Sequence, residues 1–252
     1  MKSESLIKEN QIIKKLFGQY NSNYKKLKGL LLGNIPRSLR VFDIRFRLAL
    51  DIQIDFNGEV SYTKTKEVRE TYILITKLME TWNAYEALFH YVKNLDKLKV
   101  SIYQAYSETF LSEVGSLGLL KNILDNLKSE YKTKQNFRND FDQYIYRIQK
   151  DDKIKPKLTT KCFSTLEYFK DEKVISGIEI IALIYAERNM YYHNGETAKM
   201  GMKYSNRQIL IKSYLYCLTE HTLKLTNYIL DKEIKESKNA TVNNISKPKE
   251  KI

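Results

Sequence analysis

Helix-breaking residues are scarce in this chain, where nine glycines and three prolines punctuate 252 residues. Between them run long segments whose apolar residues recur at three- and four-residue intervals, the period of a helix that buries one face. The sequence therefore predicts an all-α fold. A chain of this length can bury a sizeable core without cross-links, as one large domain or one domain with an embellishment. Its two cysteines, Cys162 and Cys217, stand far apart in apolar contexts with no second Cys or His at ligand spacing. They read as buried, reduced thiols.

The start of the chain, MKSESLIKENQIIKKLF, alternates charged and apolar residues, whereas an export signal carries an unbroken apolar stretch. No apolar run approaches the roughly 20 residues needed to span a bilayer. A cytoplasmic protein without a membrane partner is expected. The formal net charge of +13 favours a polyanionic partner, since neutralising phosphates releases condensed counterions. Much of the surplus is local: residues 1 to 50 hold seven Lys and four Arg against Glu4, Glu9 and Asp43. Such a region is either a nucleic-acid surface or a solvated face.

Three regions are expected along the chain: basic N-terminal helices plus a hairpin over 1–63, a helical domain over 64–232, and a disordered tail over 233–252. After Pro36, Leu39, Phe42, Phe46, Ala49 and Leu50 form an apolar stripe, with Arg37, Arg40 and Arg47 on another side as candidate RNA contacts. Alternating Ile52, Ile54 and Phe56, then Asn57-Gly58, Val60 and Tyr62 predict a small β-hairpin insertion with a bulged turn. A long core helix follows to about Leu95, with Tyr72, Ile75, Leu78, Met79, Trp82, Tyr85, Leu88 and Phe89 facing inward. Further helices are expected near 101–112, 117–132, 134–149 and 158–170. Two strong helices, about 174–193 and 205–230, should pair antiparallel. The tail is polar and lysine-rich.

The chemistry-bearing stretch runs Tyr185-Ala186-Glu187-Arg188-Asn189-Met190-Tyr191-Tyr192-His193-Asn194-Gly195. Ile178, Ala182 and Tyr185 define an apolar stripe that Asn189 and Tyr192 continue, and Arg188 and His193 flank it about 140° apart on the wheel. One ideal helix does not bring them into contact, so a cleft must. If Gly195 takes the left-handed position after the helix, His193 falls in the last turn, where the helix dipole favours an imidazolium. Arg188 offers an always-ionised fork that fits phosphate oxygens.

Arg188, Asn189, His193 and Gly195 resemble the Arg-x(4–6)-His motif of HEPN ribonucleases, over about ten residues of an all-helical chain. That resemblance implies a HEPN-like helical bundle and a homodimer whose cleft joins two copies of the motif. It further implies a metal-independent endoribonuclease leaving 2′,3′-cyclic phosphate, of the toxin or antiphage-defence kind, held in check by an antitoxin protein or a regulatory RNA. Arg188 and His193 are then the catalytic pair, with no cofactor and no metal. Asn189 supports them, by holding His193 at i, i+4 in preference to binding phosphate. Tyr191 and Tyr192 serve packing, a dimer interface or base stacking. The rival expectation is a noncatalytic HEPN-like module that binds RNA or a nucleotide, or scaffolds a partner.

Other polar residues read as structural. His90 and His221 are expected as core histidines, Glu187 as a solvated or ion-paired acid, and Glu86 as a capped or paired surface acid in preference to a support to the site. Asp140 and Asp142, two apart on a helix, point away from each other and do not make a metal site.

Overall fold

The computed structural model describes residues 10–56, 65–94, 118–152, 154–173, 178–194, 197 and 199–245, without the side chains of 93–94, 118–121, 178, 193–194 and 240–245. Eight helices occur among these residues: α1 Gln11–Leu30, α2 Arg37–Asp51, α3 Lys66–Asn94, α4 Gly118–Thr133, α5 Gln135–Lys150, α6 Pro156–Phe169, α7 Ile178–Asn194 and α8 Tyr204–Ile245. Local chemistry sets several of their starts. Asn10 caps α1, its Oδ1 accepting from the N–H of Ile12 at 2.9 Å and of Ile13 at 3.4 Å. Pro156 opens α6, where its missing N–H costs nothing.

The helix expected near 101–112 lies outside the described residues. No strand occurs among the described ones. Ile52, Ile54 and Phe56, expected as the first arm of a hairpin, leave α2 without regular pairing, and the Asn57-Gly58 turn and second arm fall outside the described residues. Alternation alone does not hold a strand, which needs a ladder partner for its backbone groups.

The fold is built around α8, against which α1, α3, α4 and α7 pack. From Cys217 to Leu223 seven consecutive residues of this helix are buried. A helix enclosed on all sides buries its polar residues with its apolar ones, and Thr219, Glu220, His221 and Thr222 go inside together. One continuous apolar core runs from Ile13 to Ile234, so the boundary expected near residue 63 separates helices that share it. Asn227 ties α8 to α1, donating to the Leu16 carbonyl at 3.0 Å and accepting from Asn23 at 3.3 Å.

The expected disordered tail is corrected in part. α8 continues to Ile245, and Ile234 is buried. A helix already locked by packing extends cheaply through residues that tolerate it, and neither glycine nor proline intervenes before Pro248.

α2 packs along α3, and its aromatic face meets α1. Phe42 and Phe46 stack at 5.3 Å between centroids, and Tyr20 meets both edge-on at 5.9 and 6.2 Å. At the α1–α2 turn Leu32 adopts φ 49° while 89% exposed. Left-handed backbone costs a residue bearing a Cβ about 1 kcal/mol, and burial does not offset it here. Leu32→Gly should therefore raise the urea midpoint by the equivalent of about 0.5–1 kcal/mol. A lowered midpoint would show that the leucine side chain stabilises the turn.

His221 is fully buried, as expected, with its ring 5.8 Å from that of Tyr85. Burial lowers its pKa from 6.5 to about 4, and the charge of Lys224, itself paired with Glu220 at 3.3 Å, pushes the same way. The unfolded chain takes up this proton first as pH falls. Its contribution to stability is thus complete above about 6.5 and declines toward 4. Between pH 7 and pH 5 urea unfolding should show a loss of about 2 kcal/mol in the native protein that His221→Gln does not share. Equal pH dependence in the two proteins would assign the effect elsewhere.

Candidate active site at the end of helix α7

Helix α7 is not amphipathic in its first half. Ile180 to Ile184, Ala186 and Glu187 are all buried, so the apolar stripe expected along one side becomes an apolar girdle. α6 supplies its main packing and α8 a smaller share. In the last two turns the helix reaches the surface. Arg188 and Asn189 are half-buried and Tyr192 is exposed.

This emerging face meets α3. Tyr185 stacks on Trp82 with ring centroids 5.4 Å apart. One turn on, Glu86 Oε1 accepts from Trp82 Nε1 at 2.7 Å and lies 3.5 Å from Arg188 Nη2. Arg188 Nη1 donates to Asn189 Oδ1 at 3.1 Å, and its guanidinium sits 5.4 Å over the Tyr192 ring. The Tyr192 hydroxyl in turn accepts from Asn83 Nδ2 at 3.4 Å. Arg188, Asn189 and Tyr192 thus form one cluster with Glu86 and Asn83 of α3. Glu86 is a paired acid, as expected, and the cation it faces is Arg188 of the motif.

His193 is the penultimate residue of α7, and its side chain lies outside the described residues, as does Gly195. The described partner of Asn189 is Arg188, and the contact expected with His193 falls on that same undescribed side chain. With 22% of its side chain exposed, Arg188 presents a cation at the surface that is already oriented by a carboxylate, an amide and an aromatic ring.

Beneath this cluster lies a clamp that the sequence pattern did not reveal. Glu187 and Arg207 are both fully buried. Arg207 donates through Nη1 to Glu187 Oε2 at 2.9 Å and through Nη2 to Oε1, a two-pronged pair joining α7 to α8. Tyr144 of α5 donates to the same Oε2 at 3.2 Å. Burial, reinforced by Tyr214 and Glu187, holds the Tyr144 hydroxyl well above its ordinary pKa, so it stays a donor. The solvated alternative for Glu187 is thereby excluded. A signal was present, because an acid at the end of the apolar run IleIleAlaLeuIleTyrAla must find a buried cation.

The connection from α7 to α8 is pinned by α5. Arg147 Nη1 donates to the Met200 carbonyl at 2.9 Å. Gly201, at φ 73°, leaves room for that guanidinium, which a Cβ at this position would overlap. Asp140 Oδ2 accepts from Lys203 N at 2.9 Å and Asn206 Nδ2 at 2.7 Å, capping the start of α8 from a neighbouring helix. Asp142 faces the other way and accepts from the Tyr131 hydroxyl at 2.9 Å.

The other expected nucleic-acid residues lie on α2. Arg37 and Arg40 are exposed. Arg47 is committed within the protein, with Nε 2.7 Å from Asp43, Nη2 2.9 Å from Asn21 and its guanidinium 5.5 Å over Phe17. His90 is corrected: it is exposed, and with Arg37, Ser38, Val41 and Ala87 it lines an open cavity of about 570 Å³ between the start of α2 and the last turns of α3. Its aromatic neighbours Phe89 and Tyr91 suggested a core position, yet they flank it on the buried side of the helix. Glu86 and Ala87 are consecutive, so cavity and Arg188 cluster share one stretch of α3 but draw on different partner helices.

Among the described residues no three His, Cys, Asp or Glu side chains gather as a metal site, and no helix is long and apolar enough to cross a membrane. Both cysteines are buried and unbridged. Compared with protein families, curated proteins and solved structures, the chain matches none.

Glu187→Ala strands a fully buried guanidinium without its carboxylate and should cost about 3–5 kcal/mol in chemical denaturation. By contrast Glu86→Ala opens a half-exposed pair and removes the acceptor of the buried Trp82 indole N–H, and should cost about 1–3 kcal/mol. Similar losses for the two would contradict the burial difference between the pairs.

Proposed function

We propose that this protein is a metal-independent endoribonuclease of the HEPN type, a HEPN-like helical bundle acting as a homodimer in the cytoplasm. The observation that carries the reading is the spacing of Arg188, Asn189 and His193 on the last turns of α7. There Arg188 is held at the surface by Glu86, Asn189 and Tyr192. Two copies of the motif meeting across a two-fold axis would place an arginine fork and an imidazole on each side of one phosphodiester.

In the proposed reaction the substrate's 2′-hydroxyl attacks the adjacent phosphorus. The 2′-O–P bond forms, the P–O5′ bond breaks, one proton leaves the 2′-oxygen and one reaches the departing 5′-oxygen. His193 serves one of these transfers. Arg188 balances the charge that builds on the phosphorane oxygens, exchanging its contact with Glu86 for one with phosphate. The products are a 2′,3′-cyclic phosphate and a 5′-hydroxyl. Tyr192, exposed beside Arg188, offers a ring face to a neighbouring base. The biological role that goes with this chemistry is a toxin or antiphage effector, restrained by an antitoxin protein or a regulatory RNA.

A second reading has one specific observation in its favour. Glu86 faces Arg188 at 3.5 Å, and a guanidinium already paired with a carboxylate suits a noncatalytic RNA- or nucleotide-binding module. One experiment separates the two. Mixed RNAs are incubated in EDTA with the native protein, Arg188→Ala and His193→Ala, and the cut ends are mapped. The ribonuclease reading expects cyclic-phosphate ends, with cleavage lowered at least about 100-fold in either variant. Arg188→Ala should keep the native unfolding midpoint to within about 1 kcal/mol, because the Arg188 pair is half-exposed. Intact RNA with the native protein, or cleavage equal in all three, would leave the binding module.

A further inference from the structure

Helix α2 is amphipathic twice over. Its inner face, Leu39, Phe42, Phe46, Ala49 and Leu50, is buried in the core. On the opposite side Val41, Ile44 and Leu48 are 36%, 61% and 50% exposed. Their spacing of three and then four residues is that of a coiled-coil seam, with Val41 and Leu48 at the a positions and Ile44 at d. Three branched aliphatic side chains aligned in one row are not the scattered exposure of an ordinary surface.

The positions flanking this seam are cationic on both sides. Arg40 occupies g and Arg45 occupies e, and both are exposed and make no ion pair among the described residues. In a helix pair these are the positions that choose the partner by charge. A second copy of α2 is disfavoured. Laid antiparallel, it sets cationic flank against cationic flank, Arg45 against its own mate in one register or Arg40 beside Arg47 in another. Nucleic acid would use the arginines but gain nothing from an aliphatic row, which has no ring face for a base.

We propose that the outer face of α2 is a docking surface for an acidic amphipathic helix of another protein, with aliphatic residues on its a and d seam and Glu or Asp at e and g. The complementary charges supply selection and encounter rate, and burial of Val41, Ile44 and Leu48 supplies the attraction. This surface is independent of the Arg188 cluster and of the reaction proposed for it.

The test uses the full chain and a labelled three-heptad peptide with Leu at a and d and Glu at e and g. A sister peptide carries Lys at e and g. Fluorescence anisotropy should show binding of the Glu peptide and at least tenfold weaker binding of the Lys peptide. Ile44→Ser, a substitution at a largely exposed side chain, should weaken the Glu peptide at least tenfold while the unfolding midpoint stays in place. Arg40→Glu with Arg45→Glu should reverse the preference between the peptides. Failure of the Glu peptide to bind, or binding indifferent to Ile44→Ser, overturns the proposal. So does dimerisation through this face in sedimentation velocity, lost in Ile44→Ser. Ile44-dependent binding of single-stranded RNA or of phosphatidylserine vesicles, without the Glu peptide, overturns it too.

Discussion

A helix enclosed on every side has no solvated face to which its polar residues can retreat, and α8 imposes that condition on the whole bundle. Its central residues from Cys217 to Leu223 are buried against neighbouring helices, and four of them in succession are polar. Each polar group buried there must be compensated or neutral. Glu220 pairs with Lys224, and Thr226 donates its hydroxyl to the Thr222 carbonyl one turn earlier at 2.7 Å. His221 remains neutral because its surroundings disfavour the imidazolium. α1, α3, α4 and α7 all pack against this axis.

The same constraint governs the candidate site. α7 can end at the surface with Arg188 exposed because, one residue earlier, Glu187 is locked to Arg207 of α8. A buried two-pronged pair has a narrow range of acceptable geometry, which orients the last turns of α7 as well as joining two helices. α5 adds Tyr144 to the pair, Arg147 to the Met200 carbonyl and Asp140 to the start of α8. The half-exposed contacts of Arg188 with Glu86, Asn189 and Tyr192 are individually weak and exchangeable, which suits a group proposed to leave them for a phosphate. Rigid support beneath and loose contacts at the surface divide positioning from chemistry.

The two outer faces of the N-terminal helices have different electrostatic characters. Arg47 is neutralised within the protein by Asp43 and stacks near Phe17 and Tyr20. Arg40 and Arg45 stay outside, either side of an aliphatic row. A count of basic residues in the first fifty treats these arginines alike. Burial and pairing separate the one held within the protein from those left at the surface.

By itself the sequence determined that the chain is helical, because that follows from local periods and from the scarcity of breakers. It also located the inward faces of α2 and α3, from Phe42 and Phe46 to Trp82 and Tyr85. It marked the Arg188, Asn189 and His193 spacing, which is a property of one helix. What only the tertiary structure decided are relations between helices. His90 and His221 sit in similar apolar runs, yet one faces an open cavity and the other the core. Glu187 and Arg207, twenty residues apart, become one buried pair. Glu86 comes to face Arg188, and Ile52 to Phe56 leave α2 with no strand pairing among the described residues. A periodic pattern says that a face will be covered, but the identity of the covering group depends on how neighbouring helices pack.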